Sequence, residues 1–122
     1  MERIWIYTLS KELEPEQLID FTSRCRHFTS TWTAHDVSLD ASFELYHKRL
    51  LIFKVDESKY NASGCSIDKQ VRFVKDLEQA FSLELLNRLL VAYEKNNEVQ
   101  VVKQSQISEL LASKEIDENT PI

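Results

Sequence analysis

The chain has 122 residues, 43% hydrophobic and 29% charged, with 15 basic against 20 acidic side chains and a net charge of −5. That length and balance suit one soluble domain with its own core, and they exclude the broad basic face on which nucleic-acid binding draws. A single glycine, Gly64, excludes the P-loop and Rossmann phosphate cradles, and Cys25 and Cys65 lie too far apart for a zinc finger.

Ile4-Trp5-Ile6-Tyr7 is a bulky run of high strand preference, and a first strand is expected over 3–8. Pro15, whose missing N–H costs nothing in a first helical turn, opens a helix with Glu12, Glu14 and Glu16 near the positive end of its dipole. Leu18, Phe21, Cys25, Phe28 and Trp32 follow at spacings of 3 and 4. They predict one apolar stripe on a helix over about 15–31, with Cys25 as a core thiol. Thr33 to Asp40 reads as a loop. Phe43, Leu45 and His47 alternate with Glu44 and Tyr46, which predicts a half-buried strand at 42–47. Leu50–Val55 is too apolar for the surface and is assigned the centre of a sheet. Lys48-Arg49 turns the chain between these strands without a glycine to ease it.

Asp56 to Cys65 is a connection of about ten residues, above the usual length. A second helix is expected from an N-cap at Ser66, with Asp68 in its first turn. Ile67, Val71, Val74, Leu77 and Phe81 form its buried stripe. Lys69, Arg72 and Lys75 share a face interrupted by Asp68, Asp76 and Glu78, and read as solvated surface. A short helical turn at Ser82–Asn87 is expected next. A hairpin of Leu89–Glu94 and Glu98–Val102 follows around Lys95-Asn96-Asn97, since asparagines tolerate positive φ. A last helix capped by Ser105 carries Ile107, Leu110 and Leu111, and residues 114–122 are expected to fray.

This order predicts an α+β fold: an antiparallel sheet of about five strands with helices packed on one face. Its core is ferredoxin-like (β-α-β-β-α-β), with an extra strand and a C-terminal helix, in a single domain over 1–113. No apolar run approaches the ~20 residues of a membrane span. The amino terminus lacks the basic-then-apolar layout of a secretion signal. The expectation is a cytoplasmic protein with free thiols that binds neither membrane nor nucleic acid. An exposed outer strand would offer a route to a homodimer by edge pairing.

Traced through that topology, Trp32–Asp36, Asp56–Ser58, Ser63–Asp68 and the Lys95–Asn97 turn share one end of the molecule. The candidate ligand-binding residues are therefore His35, Asp56, Glu57, Ser63, Gly64, Cys65, Ser66 and Asp68. Three chemistries are open there. A small anion could sit on the free N–H groups that begin helix two, unless Ser66 and Asp68 cap those groups themselves. A metal could be held by His35, Asp36, Asp56, Glu57 and Asp68, unless these simply face water; no local ligand spacing favours it. A Cys65 thiolate, favoured by the helix dipole, could act with His35 as base, although a lone cysteine and histidine in different loops is weak evidence for such a pair. His27 and His47 read as structural. The resulting expectation is a binding domain for a small anionic ligand or a protein partner, without catalytic activity, cofactor or resident metal. The alternative is a small enzyme, hydrolase- or transferase-like, using Cys65 with His35 or a metal at Asp56 and Asp68.

Ile4-Trp5-Ile6-Tyr7, Trp32-Thr33-Ala34-His35, Val55-Asp56-Glu57-Ser58, Ser63-Gly64-Cys65-Ser66-Ile67-Asp68 and Glu98-Val99-Gln100-Val101-Val102 occur here in a distinctive order. Together they resemble a small family of bacterial proteins of unassigned activity, some of which bear the name ABC transporter ATPase. The resemblance covers nearly the whole chain, and Gly-Cys-Ser-Ile-Asp is its most specific piece. It implies no catalytic residue or ligand, and family members often continue beyond Thr120-Pro121-Ile122. The ATPase name fails on the residues. Leu50–Val55 with Asp56-Glu57 resembles a Walker B strand, whose Asp holds magnesium and whose Glu polarises water. Both act on a nucleotide held by a Gly-x-x-x-x-Gly-Lys-Ser/Thr loop, which one glycine cannot build.

Overall fold

The computed structural model describes residues 2–58, 60–87, 89–112 and 120–121. In chain order the elements are β1 (Glu2–Thr8), α1 (Pro15–Thr31), β2 (Thr33–Ala34), β3 (Val37–Ser38), β4 (Asp40–Tyr46), β5 (Leu50–Asp56) and α2 (Gly64–Phe81). They are followed by β6 (Leu90–Lys95), β7 (Glu98–Lys103), one 3-10 turn (Gln104–Gln106) and α3 (Ile107–Ala112). The fold is mixed α+β, with three helices and antiparallel strands.

The main sheet has the order β1-β5-β4, and β5 pairs antiparallel with both neighbours. β1 and β4 therefore run the same way on either side of β5, and α1 is the crossover between them. The centre of the sheet belongs to Leu50–Asp56, the most apolar of the three strands. Its Leu51, Phe53 and Val55 are fully buried. Leu51 and Phe53 join Phe21 and Cys25 of α1 and Val74, Leu77 and Phe81 of α2 in one core, against which Trp5, Tyr7, Phe43 and Leu45 also pack. Both long helices thus cover the same sheet face. The other face carries Ile4 and Ile6, 52% and 55% exposed, and a Lys54–Glu44 ion pair at 3.5 Å. The phase follows from the period of two, since alternate strand residues take opposite faces.

α1 occupies the predicted span. Pro15 stands in its first turn, and Gln17 Oε1 accepts from the Glu14 N–H at 3.1 Å. Burial pushes the Cys25 thiol up to about 12, as expected of a core position.

Several expectations need correction. Among the described residues the sheet expected to have about five strands has three, because β6 and β7 pair with each other and not with it. The loop over 33–40 contains a two-residue hairpin, β2–β3, and β4 begins at Asp40 rather than residue 42. α2 begins at Gly64 with Ser63, not Ser66, as its cap, which leaves no acidic residue in its first turn. The buried stripe of α2 is Ser66, Gln70, Val74, Leu77 and Phe81, while Ile67 and Val71 are only half-buried. Ser82–Asn87 is not a helical turn: Ser82 adopts a left-handed conformation that ends α2, and the Glu78 carboxylate accepts from Leu85 and Leu86 N–H at 2.8 and 3.2 Å. The last helix is preceded by a 3-10 turn capped at Lys103, upstream of Ser105. Most of the expected frayed tail, 114–122, lies outside the described residues, although Pro121 O accepts from the Glu94 N–H at 2.8 Å. No helix among the described residues is long and apolar enough to cross a membrane.

Three tight turns lack glycine. His35-Asp36, His47-Lys48 and Asn96-Asn97 all adopt positive φ, between 49° and 64°. Successive left-handed residues give the type I′ twist that suits two antiparallel strands.

Candidate functional site

The Trp32–Ala34 stretch and the start of α2 are joined directly. Trp32 Nε1–H donates to Ser66 O at 2.8 Å, and Lys69 Nζ donates to Thr33 Oγ1 at 3.0 Å. β5 ends at Asp56 and feeds the connection to α2, so the hairpin β2–β3, the end of β5 and the α2 start are neighbours.

Within that end, most of the candidate side chains serve local structure. Ser63 and Ser66 cap each other: Ser66 N–H donates to Ser63 Oγ at 3.1 Å, and Ser63 N–H to Ser66 Oγ at 2.7 Å. Two of the orphan donors that begin a helix are met in this way. Glu57 Oε2 accepts from Ala62 N–H at 2.8 Å and folds the connection back on itself. Asp56 accepts from the Ser58 N–H at 2.9 Å and from the Ser58 hydroxyl. These bonds favour the charged form and hold the Asp56 carboxyl below its usual value. Ser66 is fully buried, whereas His35, Gly64, Cys65 and Asp68 are exposed. No hydrogen bond joins Cys65 to His35. Among the described residues no group of three or more His, Cys, Asp or Glu side chains is placed to hold a metal.

The cavity at this end lies beside the candidates rather than among them. It measures about 360 Å³ and is lined by Ser38, Leu39, Asp40, Asp56, Ser58 and Tyr60. Of the residues singled out in the sequence, only Asp56 lines it. Asp40 and Asp56 face each other across adjacent strands in register, and Leu39 N–H donates to Trp32 O at 3.0 Å, fixing the chain that leads into β4. Ser38, Asp40 and Tyr60 gave no sequence signal, being ordinary loop and strand-end residues. The register of β4 against β5 would have found Asp40.

The Lys95–Asn97 turn is not part of this end. Glu94 and Val99, which flank it, share a cavity with Tyr46 and Leu50, at the opposite end of the sheet from Asp56. The reason is that the hairpin leaves the sheet instead of extending it.

Comparison of the chain with protein-family models, with curated proteins and with solved structures finds no match.

Proposed function

We propose that the chain is a binding domain without catalytic activity, whose ligand surface is the end formed by β2–β3, the close of β5 and the start of α2. The observation that carries this reading is the cavity of about 360 Å³ between Asp40 and Asp56. The Asp40 carboxylate with the hydroxyls of Ser38, Ser58 and Tyr60 offers acceptors on this lining, so the group they suit is a cation, an ammonium or guanidinium of a small molecule or of a partner side chain. A second reading, the small anion at the α2 start, is favoured by the lack of an acidic residue in its first turn and by the open space around Gly64. The exposed, unconnected positions of Cys65 and His35 speak for binding over catalysis. The two free thiols favour a cytoplasmic setting. The same reading takes β1-α1-β4-β5-α2 as the larger part of a ferredoxin-like plan, with the hairpin drawn aside from the fourth-strand place. It also includes a homodimer through an outer strand.

The test is thermal shift with a panel of amines, guanidines and phosphates. The expected result is a rise in Tm with an amine or guanidine that Asp40→Asn abolishes. A rise with phosphate alone transfers the site to α2. No response to either class removes this surface as a small-ligand site.

A further inference from the structure

Resting on the self-pairing part of that reading, we infer that β1 is the pairing strand, joined antiparallel to β1 of a second copy about a two-fold axis at Ile4. Leu9 N–H donates to Arg49 O at 2.8 Å, which sets the phase of the β1–β5 ladder. Alternate residues of an antiparallel strand turn their backbone groups toward the same neighbour. Arg3, Trp5 and Tyr7 therefore address β5, and the N–H and C=O groups of Glu2, Ile4 and Ile6 point outward. Among the described residues no strand pairs with that edge. A row of outward backbone donors and acceptors is a ready template for another strand.

A groove of about 400 Å³ runs along this edge, lined by Trp5, Ile6 and Tyr7 and by Val71, Leu85 and Leu86 across from them. Leu90 lines the groove beside Thr8, and β6, which it begins, approaches β1 at that end, so Glu2–Ile6 is the stretch open to pairing. The two edges of the sheet differ. β4 sets Asp40 and Glu44 on the open face, charges that discourage an added strand. β1 sets one charge, Glu2, there at its start, followed by Ile4 and Ile6, and has neither lysine, proline nor bulge to protect it.

Charge selects the register. Centred on Arg3, the pair would oppose two arginines, and like charges directly opposite destabilise. Centred on Trp5, it would carry Glu2 of the second copy opposite Thr8, into the end of the groove that Leu90 already occupies. Centred on Ile4, it sets Ile4 against Ile4 and Glu2 against Ile6, and places Arg3 opposite Trp5 of the other copy. Within one chain Arg3 already lies 5.0 Å over the Trp5 ring, so the same cation–π contact is repeated across the two-fold axis. Stable interfaces bury about 1,000 Å² or more in total. A strand pair this short needs the groove walls to reach it, which makes the dimer a weak one.

Sedimentation equilibrium of the full chain at rising concentration tests the inference. The expected mass approaches twice the 14.3 kDa of one chain. Ile4→Pro, which removes an outward N–H and leaves the N–H groups that face β5, and Ile6→Lys, which charges the edge, are both expected to return it to monomer. Ile6→Lys keeps the test valid should Ile4→Pro fail to fold. A wild-type chain that stays monomeric at millimolar concentration overturns self-pairing altogether. A dimer that survives a folded edge variant overturns β1 as its seat. In a Cys65→Ser background, Ile4→Cys is expected to cross-link the dimer under copper-phenanthroline oxidation and Ile6→Cys is not. The reverse pattern overturns the register and leaves self-pairing standing.

Discussion

Trp32 Nε1–H donates to Ser66 O across 2.8 Å and ties the residue that ends α1 to the first turn of α2. The indole ring also lies 5.7 Å from the Trp5 ring and 5.1 Å from that of Phe28, centroid to centroid. Trp32→Phe keeps most of this aromatic contact and removes the donor. The expected loss is about 1–2 kcal/mol, read from urea unfolding. Because Lys69 and Thr33 depend on the same junction, amide exchange in β2–β3 should quicken more than in β5.

Gln70 is wholly buried, its Oε1 accepts from the Tyr7 hydroxyl, and its Nε2 has no partner among the described residues. Leaving one half of a buried polar pair behind costs more than removing both halves. Tyr7→Phe alone is expected to destabilise by about 1 kcal/mol, and the double change Tyr7→Phe with Gln70→Leu to recover that loss or exceed it. A double-mutant cycle by chemical denaturation measures both.

A Cβ built on Gly64 meets nothing within 4 Å, and the residue has no positive φ. Its conformational freedom is thus lost on folding with nothing gained in return. Gly64→Ala should raise stability by roughly 0.5–1 kcal/mol, seen as a higher Tm with an unchanged fold.

Cys25 is buried and Cys65 exposed. At pH 8 a disulfide-exchange reagent is expected to titrate Cys65 at once and Cys25 only on unfolding. The folded-state value of about 12 for Cys25 stands above the ordinary 9.0, so above pH 9 the unfolded chain releases this proton first. The Cys25 contribution to stability is therefore complete below pH 9 and declines as pH rises toward 12. Cys25→Ala should remove that part of the alkaline slope, while the part from Tyr7, whose phenol burial also raises, remains.

Much of the fold was legible because the signals were local and redundant. Pro15, the glutamates around it and the 3,4 spacing from Leu18 to Trp32 all specify the same helix. The apolar run Leu50–Phe53, resumed at Val55, leaves only the middle of a sheet. Other features depend on distant partners. Gln70 looks like a surface residue until Tyr7, sixty-three positions away, is brought against it. The start of α2 was misread because Ser63 and Ser66 are both good caps, and the structure uses each to cap the other. The alternation in β6 and β7 reads the same whether the hairpin extends the sheet or stands beside it. At the candidate site, the junction of the Trp32 stretch with α2 followed from chain direction. Its cavity did not, since Asp40 and Tyr60 matter only through strand register and a loop path.

His47 and Lys48 hold left-handed angles of 49° and 60° between β4 and β5. A lysine there costs on the order of 1 kcal/mol relative to glycine. Such a bend cannot nucleate the β4–β5 ribbon on its own and must be imposed once Phe43 and Phe53 meet. The hairpin is expected to close late in folding, so replacing His47-Lys48 by Asn-Gly should chiefly slow unfolding and leave the refolding rate nearly unchanged.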